Sequence, residues 1–180
     1  MIKRKRLMFF IGAVLLTLAI TLGLFAYGQT TATVTPVVSG QPDFVTVTPL
    51  SGLTWTAWGS HVGRIPTGDL FTITPADGAD PWTGDMSVIL RIANAEDLIE
   101  CYGILVFKIE IWNSNNTKLT TTEYLSLGKG GQIYIDFNYD AYTPYTVKVT
   151  GGNYVTHRGG WTTGREDPTI YCQVLQRSAP

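Results

Sequence analysis

Gly103-Ile104-Leu105-Val106-Phe107-Lys108-Ile109-Glu110-Ile111-Trp112 decides how this chain folds. In an extended chain Leu105, Phe107, Ile109 and Ile111 fall on one side, and Lys108, Glu110 and Trp112 on the other. Alternation with period two marks a strand with one buried face and one wet face. Runs of the same kind recur at 44–48, 53–58, 70–74, 86–93, 119–127, 132–137, 145–150 and 169–175, rich in Thr, Val, Ile and aromatic residues. Between them lie Pro49-Leu50-Ser51-Gly52, Pro75-Ala76-Asp77-Gly78, Asn113-Ser114-Asn115-Asn116, Gly128-Lys129-Gly130-Gly131 and Gly151-Gly152-Asn153. Gly and Asn there supply positive φ, and Pro fixes it. About nine short strands separated by such turns predict an all-β, antiparallel β-sandwich of jelly-roll or Ig-like type. One helical segment is expected at 95–100, with Asn94 as its cap and Glu96 and Asp97 near its positive end, acting as a crossover between sheets.

The N-terminus reads differently. Lys3-Arg4-Lys5-Arg6 precedes Leu7 to Tyr27, a run of 21 residues without a charge. Cations followed by an apolar stretch are the order of an export signal. Ala26 and Gly28 offer small residues for cleavage before Gln29, yet the run is also long enough to span a bilayer as a helix. Signal peptide and membrane anchor both fit residues 1–28, and either places the remaining chain outside the cytoplasm. Four of the 13 Lys/Arg lie in this segment, which leaves 9 against 14 Asp/Glu in the remainder, a net charge of −5. A mildly acidic domain with no basic cluster has no electrostatic footprint for nucleic acid.

Residues 29–43, Thr-, Val- and Pro-rich and almost uncharged, read as a stalk or a leader strand ahead of a sandwich domain at 44–180. Ala32, Val34 and Val37 give the leader an apolar set, and a loose strand can add to the sheet edge of a neighbour. Cys101 and Cys172 form an even count, which in an exported protein predicts a disulfide stabilising by roughly 4 kcal/mol. Two buried free thiols are the alternative.

No catalytic constellation is recognisable. GxSxG, HExxH and phosphate-binding loops do not occur. His61 and His157 are isolated loop histidines, and the carboxylate pairs Asp136/Asp140 and Glu110/Glu123 are not brought together by sequence alone. The expectation is a non-enzyme without a cofactor. Two binding features stand beside it. Asp77, Asp80 and Asp85 place three carboxylates in a Gly-containing loop, a candidate Ca²⁺ site without EF-hand spacing. Trp82, Trp112 and Trp161 lie in loops or on an outward strand face, where flat aromatics can stack on a glycan or enter a partner. Asn115-Asn116-Thr117 is a glycosylation sequon in a turn, compatible with an extracytoplasmic location.

Pro66-Thr67-Gly68-Asp69-Leu70-Phe71-Thr72-Ile73, followed by Gly84-Asp85-Met86-Ser87-Val88-Ile89-Leu90-Arg91-Ile92-Ala93-Asn94-Ala95, resembles the TasA/camelysin-type secreted sandwich proteins. The export segment and β-rich body are similar too, while the cysteine pair and the shorter body depart from that pattern. The resemblance implies a jelly-roll-like domain that polymerises into surface fibres by donating an N-terminal strand, here 32–38, and implies no catalytic residues. The expected role is a structural, filament-forming or adhesive component of the cell surface. A carbohydrate-binding accessory domain is the alternative.

Overall fold

The computed structural model describes residues 30–40, 42–57, 62–78, 82–140, 143–157 and 166–177. Eleven strands occur among them: β1 (Thr30–Val38), β2 (Val45–Pro49), β3 (Leu53–Ala57), β4 (Val62–Ile65), β5 (Gly68–Pro75), β6 (Gly84–Ile92), β7 (Tyr102–Asn113), β8 (Glu123–Ser126), β9 (Gln132–Tyr139), β10 (Tyr145–Thr156) and β11 (Thr169–Gln176). One α-helix, α1 (Ala95–Cys101), links β6 to β7, and a 3-10 turn, Leu127–Lys129, links β8 to β9. The strands form two sheets, β3-β1-β11-β6-β9 and β2-β5-β10-β7-β8, with β4 also on β10. The chain is an all-β, two-sheet sandwich in which most connections pass from one sheet to the other.

The period-two reading of β7 holds on its inner face. Leu105, Phe107, Ile109 and Ile111 are fully buried, facing Met86, Val88 and Leu90 of β6 and Ile170 and Val174 of β11 within one core. Each such side chain removed from water contributes roughly 1.5–3 kcal/mol. Helix α1 crosses between the sheets as expected, tucking Leu98 into the core. Asn94 does not cap it through its side chain. Its Nδ2 instead donates to the Asp167 carbonyl (2.9 Å) and its Oδ1 accepts from the Thr169 amide (3.0 Å), tying the start of the helix to β11.

Several expectations are corrected. Gly151-Gly152-Asn153 is not a turn: β10 runs through it as a bulge, where the pairing with β7 shifts between Val149 and Gly151. A Cβ on Gly152 would stand 2.2 Å from the Val106 carbonyl oxygen, so glycine permits close approach rather than reversal. The predicted 119–127 strand shortens to β8, because residues 114–122 fold back over β7. Cys101 and Cys172 are buried thiols that are not joined in a disulfide. Cys101 closes α1 at the entrance to β7, whereas Cys172 lies mid-strand in β11, in the other sheet. Burial pushes the Cys172 thiol up to about 12.

The leader contributes more than a stalk. Strand β1 lies inside its sheet, antiparallel to β3 (Thr33 opposite Thr54) and parallel to β11 (Val37 opposite Tyr171). That parallel ladder departs from the all-antiparallel expectation. Ala32 and Val34 are fully buried and Val37 half-buried. Among the described residues no helix is long and apolar enough to cross a membrane. The expected N-terminal hydrophobic helix at 1–28 lies outside them.

Candidate functional site

Two clefts and one buried polar cluster carry the chemistry of this surface. The cluster sits on the outer face of β7. Glu110 would be wet if the alternation alone governed it, yet it is 7% exposed because residues 113–122 cover it. Lys118 Nζ donates to its Oε1 at 2.7 Å, Trp112 Nε1 donates to its Oε2 at 3.0 Å, and the Thr122 hydroxyl donates as well. Burial pushes the Glu110 carboxyl up, but these three hydrogen bonds and the Lys118 charge outweigh it, so its pKa lies below the ordinary value. The loop is shaped for this cover: Asn113 Oδ1 accepts from the amides of Asn115 (3.1 Å) and Thr117 (2.9 Å). Trp112 is therefore committed, not an open platform. Its ring is half-buried, and Lys148 Nζ lies 5.2 Å from the ring centroid and 3.5 Å from Asp69 Oδ1.

The first cleft, about 550 Å³, opens where β6, β9 and β11 end together. Trp82 forms one wall, with Asp85, Asn138 and Arg177 around it. Trp82 is half-buried, stacked on Tyr139 (5.7 Å, 17°) and edge-on to Phe44 (4.8 Å). Behind it the Tyr139 hydroxyl is buried and has no hydrogen-bond partner among the described residues. Burial first, then the neighbouring Tyr145 and Asp140, push that phenol up to about 12. Arg177 pairs with Asp136 at 2.7 Å, and Asp136 also accepts from the Ser87 hydroxyl.

The second cleft, about 950 Å³, lies where β10 changes partner. Residues 145–149 of β10 pair with β5 and residues 152–155 with β4, leaving Pro66-Thr67 opposite the glycine bulge. Trp55 lines it from β3, and Arg64, Lys108 and Asn153 line it from the other sheet.

None of the protein-family models matches this chain, and no curated protein matches it.

The other sequence-selected residues are dispersed. Asp77 is exposed in a turn, and Asp85 is exposed on β6, where Asn138 Nδ2 approaches its Oδ1 at 3.4 Å. Asp80, His61 and Trp161 lie outside the described residues, among which no group of three or more His, Cys, Asp or Glu is placed to hold a metal ion. His157 is exposed at the end of β10, its amide donating to the Cys101 carbonyl at 3.0 Å. Asp136 and Glu110 are engaged in the ion pairs above, and Glu123 accepts from the Thr121 hydroxyl at 3.2 Å. Sequence reading missed the second cleft. Its available signal was the glycine pair flanked by strand-forming residues, which reads as a turn and as a bulge equally well.

Proposed function

We propose that the chain is an extracytoplasmic structural or adhesive protein of the cell surface that self-associates by exchanging β1 between copies. One observation carries the reading: β1 is the first of the described strands, yet it alone joins β3 to the rest of its sheet. Its neighbours in that sheet are β3 and β11, and the next strand in the chain, β2, lies in the opposite sheet. A copy that places its β1 in a neighbour's slot recovers the same hydrogen bonds and buries the same Ala32 and Val34, so exchange costs little beyond association entropy. Because a donor need not accept from the same partner, exchange can propagate into an open fibre. The export-type N-terminus supports the location. Strand order supports a jelly-roll over an Ig-like domain, with β1-β11-β6-β9 facing β5-β10-β7-β8 and the chain crossing between them at nearly every connection.

Light scattering and negative-stain imaging of residues 29–180, beside a form starting at Phe44, test this. Polymers from the longer form and none from the shorter support strand exchange; monomers of the longer form at every concentration refute it. Trp82 at the mouth of the first cleft supports a second reading, carbohydrate binding, which a glycan array on wild type and Trp82→Ala decides.

A further inference from the structure

We infer that a second copy of this chain pairs along the open edge of β9, joining two sandwiches into one continuous sheet about a two-fold axis. This surface is separate from strand exchange. In the order β3-β1-β11-β6-β9 the slot of β1 lies near one end and β9 forms the other.

The neighbouring ladders fix which groups that edge offers. The Ile92 amide donates to the Gly131 carbonyl at 2.7 Å, one step beyond the Arg91–Gln132 pair. On the other side of β6 the Arg177 amide donates to the Asp85 carbonyl at 2.9 Å, one step beyond the Gln176–Met86 pair. Bonded pairs alternate along an antiparallel ladder, so even-numbered residues of β6 bond β9 and odd-numbered ones bond β11. Their bonded partners in β9 are Ile133, Ile135, Phe137 and Tyr139. The amides and carbonyls of Gln132, Tyr134, Asp136 and Asn138 therefore point away from β6, where β9 has no partner strand among the described residues.

The edge carries none of the usual protections against pairing. Strand β9 has 8 residues, against 5 in β2 and β3 and 4 in β8, the other strands at sheet ends. It holds no Pro or Lys, and its register with β6 runs without a bulge from Gly84–Tyr139 to Arg91–Gln132. Its one charge, Asp136, is paired with Arg177 at 2.7 Å.

The sequence of β9 complements itself in one register. A slip of one residue would set the apolar face of one copy against the polar face of the other, so only residues of the same face can be opposed. A two-fold axis at Ile135 opposes Gln132 to Asn138 and Tyr134 to Asp136 on both sides, and every open amide and carbonyl finds a partner. The same axis sets Ile135 against Ile135 and half-buried Ile133 against Phe137, apolar against apolar at the margin of the core. An axis at Tyr134 leaves Asn138 unpaired, and an axis at Asp136 opposes two carboxylates, which is unfavourable.

Gln132→Cys and Asn138→Cys, made in separate full-length chains in detergent micelles, test the register. Opposed Cα atoms in a bonded pair lie about 5.5 Å apart, within disulfide reach. Two copies of either position stand roughly 20 Å apart in this register. Expected on oxidation is a covalent dimer from the mixture and none from either variant alone. Tyr134→Asp opposes a carboxylate to Asp136 on both sides of the axis and should weaken the dimer about tenfold in sedimentation. Tyr134→Pro removes an amide that the β6 ladder does not use and should abolish it. Circular dichroism separates a lost dimer from a lost fold. A folded wild type that stays monomeric, a mixture that fails to link (as when β9 receives β1 of a neighbour instead), self-linking of either cysteine variant, or an undiminished dimer in folded Tyr134→Asp would each overturn the proposal.

Discussion

The ladder between β7 and β10 and the slot that holds β1 use the same backbone hydrogen bonds, yet the chain depends on them differently. Strand β10 follows β7 from Asn113 opposite Tyr145 to Tyr102 opposite Thr156, and each also has other partners in its sheet. Losing one neighbour leaves either strand held. Strand β3 has no second partner within the described sheets: it joins through β1, which itself reaches β11 by a parallel ladder. Parallel pairing is slightly less stable per residue than antiparallel. One part of the sandwich is redundant and the other is hung on a single strand. Assembly by strand exchange can exploit only the second.

The largest expected effect is at that strand. Val34→Asp places a charge at a fully buried position without a partner, and about 3–5 kcal/mol is lost. Hydrogen exchange should show β1 and β3 opening together while β7 and β10 stay protected. Equal loss of protection in both sheets would erase the contrast. Phe107→Ala, in the redundant ladder, should cost about 3–5 kcal/mol in urea unfolding but lower protection across both sheets alike.

A smaller change sharpens the comparison. Gly52 has φ +78°, and a Cβ there would lie 2.1 Å from the Val34 carbonyl oxygen. Gly52→Ala should cost more than about 1 kcal/mol and should loosen β3 against β1 before any other strand.

The Glu110 cluster lies on the redundant side and titrates with a definite sign. Its folded pKa is depressed, so its contribution is fully present above the unfolded carboxyl value near ~4.3 and is lost as pH falls through the lower folded value. Glu110→Gln should cost about 1–3 kcal/mol at neutral pH and remove that part of the acid dependence. Thermal melts of both proteins between neutral pH and acid check it. The smallest effect concerns the thiols: with no disulfide between these buried cysteines, a reductant should leave the melting temperature unchanged, and alkylation should proceed only at the unfolding rate.

The inner face of β7 was legible because Leu105, Phe107, Ile109 and Ile111 carry strict alternation, and the sandwich follows from repeating that pattern. Glu110 was not, because its cover comes from Lys118 and Thr122 in a loop that alternation along β7 does not encode. Strand β4, Val-Gly-Arg-Ile, is too short and too interrupted to show a period, so the second cleft beside it was invisible. Gly151-Gly152 carries turn chemistry, and only the close approach of Val106 makes it a bulge. Cysteine count alone does not show that Cys101 ends a helix while Cys172 lies within β11. The apolar set of the leader was readable, but its place between β3 and β11 depends on residues far along the chain.

The most direct measurement crosslinks the slot itself. Thr33 and Thr54 are paired across the β1–β3 ladder, where directly opposed Cβ atoms lie about 4.5–5.5 Å apart. In the Thr33→Cys/Thr54→Cys variant, oxidation under assembling conditions followed by a non-reducing gel reports whose β1 fills the slot. The native thiols are buried and do not compete. Strand exchange predicts a ladder of covalent multimers that collapses on reduction. Crosslinked monomers alone, from a sample that light scattering shows to be assembled, would contradict it.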